Sequence, residues 1–333
     1  MKTLEHRQRP TLLAVMGDPC GIGPEVLLKA LVRRPPQARV VAIGSMRALE
    51  MAAEVSGLHI ALRKVAGVAH AVGGAGLLEV IEPDALPAAV VMPARVSAEC
   101  GRAVVGWRNL AAELASRGEV DAIVQGPIHV ESIAAATGVA QVPPLPGVVQ
   151  SHLLLVAGRL RVVHLSDHIP LRDALDRVKR DAVFTLMQQT HEALRRWGVA
   201  RPSIAVAGLN PHCKGPEDGA ELAPAVLAAR QQGMNAVGPL PPDSVFARCA
   251  AGEFDCALAL YHDQGHIAVK TLRSEDSCAI VLGEPSLRVS VAHGTAFDIA
   301  GKGVADADGM ASALHHAASL AAGRGFPAGV ALP

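Results

Sequence analysis

Short runs of Val, Ile, Leu and Ala alternate along this chain with longer stretches in which apolar residues recur at helical spacing. The runs at 12–16, 40–43, 120–124, 161–165, 203–207 and 255–260 predict strands. The longer stretches predict helices at 24–33, 99–117, 181–197, 221–231 and 306–321. Strands that are apolar throughout, separated by helices, indicate an α/β fold with mostly parallel sheets covered on both faces. The proline-rich stretch 141–147 blocks helix and forces extended backbone, so it marks a boundary. A second crossing is expected near Gly283-Glu284-Pro285. Residues 1–140 plus 285–333 then form a discontinuous first α/β domain, and residues 141–284 a second, with the active site in the cleft between them.

Composition narrows the function classes. The chain has 333 residues, half of them hydrophobic and 19% charged, which supports a packed core and argues against disorder. The formal net charge is zero and aromatics are 2%, so neither a basic footprint nor stacking platforms for nucleic acid are expected. No apolar run reaches the roughly 18 residues of a membrane helix. The apolar run at 12–16 is too short for a secretion signal, which points to the cytoplasm. Six cysteines are scattered without a Cys-x-x-Cys pair and are expected to be reduced, buried small hydrophobes.

The chemistry gathers first in Tyr261-His262-Asp263-Gln264-Gly265-His266-Ile267-Ala268-Val269-Lys270, directly after an apolar strand. Ligands of open α/β sheets sit at the carboxyl ends of strands, so this polar turn, bent at Gly265, is a candidate site. The plain alternative is a loop with two solvated histidines. An i, i+4 ligand pair of His262 and His266 on a helix is not expected, because Gly265 intervenes. His168 and His212 also follow predicted strands. Three imidazoles with open positions suit a catalytic divalent ion, although a chain with 14 histidines brings some to strand ends by chance. Gly17-Asp18-Pro19-Cys20-Gly21-Ile22-Gly23-Pro24-Glu25 joins a strand to a helix, with Pro24 suited to the first helical turn. It is no dinucleotide fingerprint, since the third glycine would fall at Val26, and a tight turn is the better reading. In Ser290-Val291-Ala292-His293-Gly294-Thr295-Ala296-Phe297-Asp298, Gly294 permits close approach to a ligand, and Asp298 either meets a ribose hydroxyl or caps a helix.

Taken together, residues 17–25, Asn210-Pro211-His212, 261–270 and 293–301 resemble the 4-hydroxythreonine-4-phosphate dehydrogenase (PdxA-type) family. The resemblance implies an isocitrate/isopropylmalate dehydrogenase-like fold and a homodimer with shared active sites. It implies NAD, and one divalent metal bound by His168 and His212 of one subunit and His262 of the other, with the metal site and dimer interface in the second domain. An all-imidazole set favours zinc, with manganese, cobalt or magnesium as alternatives. Lys270 and Arg288 fall on the family's substrate anchors, and His293, Gly294, Thr295, Ala296 and Asp298 on its cofactor turn. Asp263 and Lys270 are the acid/base candidates. The implied reaction is oxidation of a secondary alcohol to a β-keto acid that loses CO₂.

The chain departs from the family in the parts that read the substrate. The polar Gly-His-Thr-Glu segment is replaced by Val142-Pro143-Pro144-Leu145, an Asn-Lys pair by His129-Val130, and an Asn after Lys270 by Ala279. Loss of polar contacts implies a less polar substrate. The His129-Val130-Glu131 segment is similar to that of terephthalate cis-dihydrodiol dehydrogenases, which assigns His129 to substrate binding. The expected substrate is therefore an aromatic-acid cis-dihydrodiol, a small carboxylate, converted to a catechol acid. Arg288 keeps open the alternative of 4-phosphohydroxythreonine or a phosphorylated sugar acid. A non-catalytic ligand-binding relative is a second alternative.

Overall fold

The structure, a computed structural model, describes residues 9–148, 150–272 and 277–327. Contacts divide the chain into two compact units, Met1–Val149 with Pro285–Ala322, and Gln150–Glu284 with Gly323–Pro333. Two segments lie elsewhere than the expected bounds of 1–140 plus 285–333 and 141–284. The guanidinium of Arg108 donates to the Pro143 carbonyl at 3.0 Å and Leu145 is buried, which holds the proline stretch to the first unit. Near the C-terminus, Gly325 N donates to Trp197 O at 2.6 Å and Phe326 packs edge-on against Trp197 and under Arg161, so these residues go with the second unit.

The first unit opens with β1 (Thr11–Val15), α1 (Gly23–Arg33), β2 (Arg39–Ile43), α2 (Met46–Val55), β3 (Ala61–Lys64), β4 (Leu77–Ile81), α3 (Ala98–Ser116), β5 (Ala122–Gln125) and α4 (Val130–Thr137). Strand β1 is buried at every position, as a strand covered on both faces must be. Helix α1 is fastened at its base by a buried ion pair. Lys29 Nζ lies 2.7 Å from Glu25 Oε1 and also donates to the carbonyls of Gly303 and Ala305. Each buried charge is thereby hydrogen-bonded, the condition under which such a pair is tolerated. Helix α3 starts at Ser97, whose hydroxyl caps Cys100 N at 3.2 Å. Gly101 lets α4 close on α3, since a Cβ there would lie 2.0 Å from Ser132 O.

The second unit contains β6 (His152–Ala157), β7 (Leu160–His164), α5 (Leu171–Asp176), α6 (Arg180–Arg196), β8 (Ser203–Ala207), α7 (Ala223–Gln231), β9 (Asn235–Leu240), α8 (Val245–Ala250), β10 (Cys256–Ala259), α9 (His262–Leu272) and β11 (Cys278–Leu282). The chain then returns to the first unit with β12 (Leu287–Val291) and α10 (Asp308–Ala321). In the first unit the strands run β3-β4-β2-β1-β5-β12, all parallel. In the second they run β11-β6-β7-β10-β8-β9. There β7, β10, β8 and β9 are parallel, while β6 pairs antiparallel with both β7 and β11. The β6–β7 pair is a hairpin turning through Gly158 and Arg159, with Gly158 at φ 58° as such a tight turn requires. Its core joins Leu160 and Val162 to Val245, Phe246 and Val269.

The fold is thus α/β with mostly parallel sheets. The polar stretch expected to be a turn at 261–270 is the body of α9. Among the described residues no helix is long and apolar enough to cross a membrane.

Candidate metal centre

Strands β7, β10 and β8 are parallel neighbours, so the chain leaves all three at one carboxyl edge. Two bonds continue the β7–β10 pairing beyond the strands. Leu165 N donates to Ala259 O at 2.8 Å, and the Ser166 hydroxyl donates to Leu260 O at 3.0 Å. The residues that follow are therefore delivered side by side. One ligand atom from each of Asp167, His168 and His262 lies within 4.8 Å of the others. The His168 and His262 rings are 4.9 Å apart within one chain. The adjacency of β7 and β10 thus places His262 beside His168 of its own chain.

Each imidazole has a carboxylate neighbour. His262 Nδ1 lies 2.6 Å from Asp263 Oδ1, which leaves Nε2 as the ligand atom. Such a carboxylate fixes the tautomer and orientation of a metal-binding histidine. Asp263, expected as an acid/base, sits in that place, with its side chain 71% exposed. His168 Nδ1 lies 3.0 Å from Asp167 Oδ1, a close charge contact rather than an aligned hydrogen bond. The Asp167 carboxylate raises the His168 pKa, against burial and the charge of Lys270. Burial works to raise Asp167, but His168 carries it below the ordinary carboxylate range. Lys270, two turns along α9, adds its charge to the surroundings of both His168 and His266.

Behind the group stand two histidines that the sequence reading passed over or set aside. Because α9 begins at His262, His266 lies one turn on, and their rings stack at 3.6 Å and 14°. The two histidines therefore stand i, i+4 on a helix rather than in a loop, although His266 is outside the Asp167–His168–His262 group. Gly265 does not bend the chain. A Cβ at that position would lie 2.3 Å from His164 Nε2, so the glycine makes room for a buried ring. His164 Nδ1 donates to Leu153 O at 3.0 Å. Burial pushes the His164 pKa down to about 4. Burial, then the charge of His262, pushes His266 down to about 4. Both rings are neutral at neutral pH.

His212 leaves β8 at the same edge but is outside the Asp167–His168–His262 group. Its backbone is left-handed, φ 57° and ψ 17°, a costly state for a residue with a Cβ. Asp218 enforces the loop, its oxygens accepting from Leu209 N, Asn210 N, Asn210 Nδ2 and Gly215 N at 2.8–3.3 Å. Gln264 ties loop to helix, accepting from Leu260 N at 2.7 Å and donating to Gly208 O at 2.9 Å. Asp167 and Asp218 were not singled out in the sequence. Gln264 gave a signal, being inside the polar stretch.

The remaining expected residues lie in the first unit. His129 caps α4, Nδ1 accepting from Ser132 N at 3.3 Å, and stacks on Phe297 at 3.9 Å and 6°. Arg288 is half-buried on β12, beside Ile123 of β5. In the 293–298 segment, His293 Nδ1 lies 3.0 Å from Gly294 O. Thr295 is buried, its carbonyl accepting from Ile22 N at 3.0 Å, and Ala296 has φ 41°. Asp298 is exposed and caps no helix, since turns follow it.

The Asp167, His168 and His262 donor set suits a divalent transition ion, two imidazoles with one carboxylate and open positions. Exposed Gly294, where a Cβ would meet nothing within 4 Å, and exposed Asp298 leave room for a dinucleotide.

The family model described as pyridoxal phosphate biosynthetic protein PdxA matches residues 36–317. A protein of Novosphingobium aromaticivorans provisionally named 4-hydroxythreonine-4-phosphate dehydrogenase is 43% identical, covering 98% of this chain and 99% of its own. D-threonate 4-phosphate dehydrogenase of Cupriavidus necator is 36% identical, covering 95% and 98%. The crystal structure of 4-hydroxythreonine-4-phosphate dehydrogenase from Klebsiella pneumoniae superposes with a TM-score of 0.83 at 34% identity, over 94% of this chain and 99% of that one. Terephthalate 1,2-cis-dihydrodiol dehydrogenase from Burkholderia xenovorans, by contrast, gives 0.67 at 30% identity, over 93% and 98%. The expected dihydrodiol branch is therefore corrected, because that enzyme is the weaker neighbour. The structure shows why the departures misled. Pro143 receives the Arg108 bond, Leu145 and Ala279 are buried, and His129 is a helix cap. Burial gives Leu145 and Ala279 a packing role, and His129 has structural contacts of its own.

Proposed function

Because this chain belongs to the PdxA family, we propose that it is a metal- and NAD-dependent dehydrogenase. Its substrate is a phosphorylated hydroxy acid of the 4-phosphohydroxythreonine or threonate 4-phosphate kind, oxidised at its secondary hydroxyl with loss of CO₂. The observation that carries this reading is the Asp167, His168 and His262 group with Lys270 beside it.

A divalent ion held there supplies a Lewis acid for the oxygen at the reacting carbon, and NAD supplies the hydride acceptor. His168 and His262 present their free ring nitrogens to that ion, and Asp263 holds the His262 ring in one tautomer. Lys270 offers a cation to the substrate's carboxylate or phosphate. Arg288 is the second anchor in this reading, and His293–Asp298 the cofactor turn. The neutral, buried His164 and His266 keep extra positive charge away from the ion's ligands. We extend the proposal to an isocitrate/isopropylmalate dehydrogenase-like arrangement and a homodimer.

The test is a substrate panel of phosphorylated hydroxy acids and carboxylated dihydrodiols, assayed for NADH and CO₂ with added zinc, manganese, cobalt or magnesium. Turnover is expected for a phosphorylated acid. Turnover of the diols alone would sink the proposal.

A further inference from the structure

A second group of ligand-capable side chains lies in the first unit, and the function above uses none of it. Asp18 and Cys20 belong to the turn after β1, and Cys100 is the third residue of α3. One ligand atom of each lies within 4.8 Å of the others. The group is sealed, with Asp18 at 1% exposure and both cysteines at 0%. The two thiol sulfurs are 3.6 Å apart. Both also face the Val90 carbonyl oxygen, at 3.5 Å from Cys20 and 3.8 Å from Cys100.

The carboxylate is the telling part. Asp18 Oδ1 accepts from Cys20 N at 2.9 Å, but Oδ2 is buried without any hydrogen-bond partner. A buried polar atom left unpaired costs roughly 1–3 kcal/mol, more when charged. A cation at this position removes that cost. The sulfur spacing fits one, because two thiolates on a tetrahedral zinc, each at about 2.3 Å, stand about 3.8 Å apart. Thiolates are the ligands that select zinc over harder ions.

We propose that Asp18, Cys20 and Cys100 hold a zinc ion, with the Val90 carbonyl as fourth ligand, in a closed structural site that pins the 17–25 turn to α3. Ile22 of that turn donates to Thr295 O at 3.0 Å, so the ion also steadies the 293–298 segment.

The experiment measures metal per chain in the full protein purified without chelator, in the wild type, Cys100→Ser, Cys20→Ser and a His168→Ala/His262→Ala double variant. The histidine variant is expected to keep one zinc per chain, and either cysteine variant to lose it. Loading with cobalt is expected to give a near-ultraviolet thiolate-to-metal charge-transfer band that vanishes in Cys100→Ser. A histidine–carboxylate centre gives no such band, so this readout is independent of the proposed catalytic ion. Should the cysteine variants fail to fold, alkylation of the wild type decides. Cys20 and Cys100 are expected to become reactive only when a chelator is added, while the buried Cys249, Cys256 and Cys278 stay protected throughout. A folded Cys100→Ser with unchanged zinc overturns the site, as does a wild type without the cobalt band. A Cys20–Cys100 disulfide in protein kept without reductant overturns it too.

Discussion

Two strand-end turns of this protein carry side chains that could hold a metal ion, and they are built in opposite ways. After β7 and β10, His168 is 78% exposed and Asp263 71%. After β1, Asp18 is 1% exposed and Cys20 0%. The first turn uses imidazole and carboxylate with open positions, as a centre that must admit substrate does. The second uses thiols and a carboxylate in a sealed space, where nothing but an ion could reach. Both follow from parallel strands ending at a carboxyl edge. What differs is the next element, for α9 starts on the ligand His262 itself, whereas the 17–25 turn folds back under Thr295.

The largest effect expected at the open site comes from its ligands. His168→Ala and His262→Ala should each lower kcat/KM by more than about 100-fold, beyond the 10–100-fold typical of supporting residues. Bound catalytic metal should fall in parallel, with the melting temperature little changed. An active, metal-replete His262→Ala would erase the distinction between the two turns.

The next effect is on stability and comes from His164, behind the open site. Its folded pKa of about 4 lies below the ordinary value of 6.5. The unfolded chain therefore binds this proton first. Its contribution is full above pH 6.5 and is lost as pH falls towards 4, in total roughly 3 kcal/mol. His266, Asp167 and His262 all act on this ring. Urea midpoints measured from pH 7.5 to 4 should fall, and His164→Gln should flatten that fall. An equally steep profile in the variant would show that other groups drive it.

Asp263→Asn is expected to be milder. It keeps the shape of the contact with His262 but removes the charge that fixes the tautomer. Metal affinity should drop about 10–100-fold, while KM for substrate at saturating metal changes little. A changed pH optimum at saturating metal would instead restore Asp263 to the acid/base role expected from sequence.

How much of this was legible depended on how local the signal was. Strands β1, β8 and β10 were readable because both-face burial writes a nearly continuous apolar run. Helix α9 was not, because Gly265 and four polar neighbours read as a turn. The reason for the glycine, the His164 ring, comes from a strand about a hundred residues earlier. Asp167 was invisible for the same reason. Nothing near it in sequence shows that the end of β10 lies alongside. Strand β6, the antiparallel partner of β7, was not among the expected strands. The substrate expectation leaned on apolar replacements, of which Leu145 and Ala279 are buried and so have a packing reason to be apolar.

The smallest expected effect tests that last lesson at His129. Its ring does two structural jobs, accepting from Ser132 N at the start of α4 and stacking on Phe297. His129→Asn retains a cap acceptor and loses only the stack. Its stability should stay within about 1 kcal/mol of wild type. His129→Ala loses both and should cost about 1–2 kcal/mol. Neither change should alter the choice between phosphorylated acids and carboxylated diols, if the ring supports the fold rather than reading the substrate. Denaturant midpoints paired with kcat/KM on both substrate classes settle the matter. A shift in substrate ratio without loss of stability would return His129 to the site, and with it the dihydrodiol reading that its cap and stack now argue against.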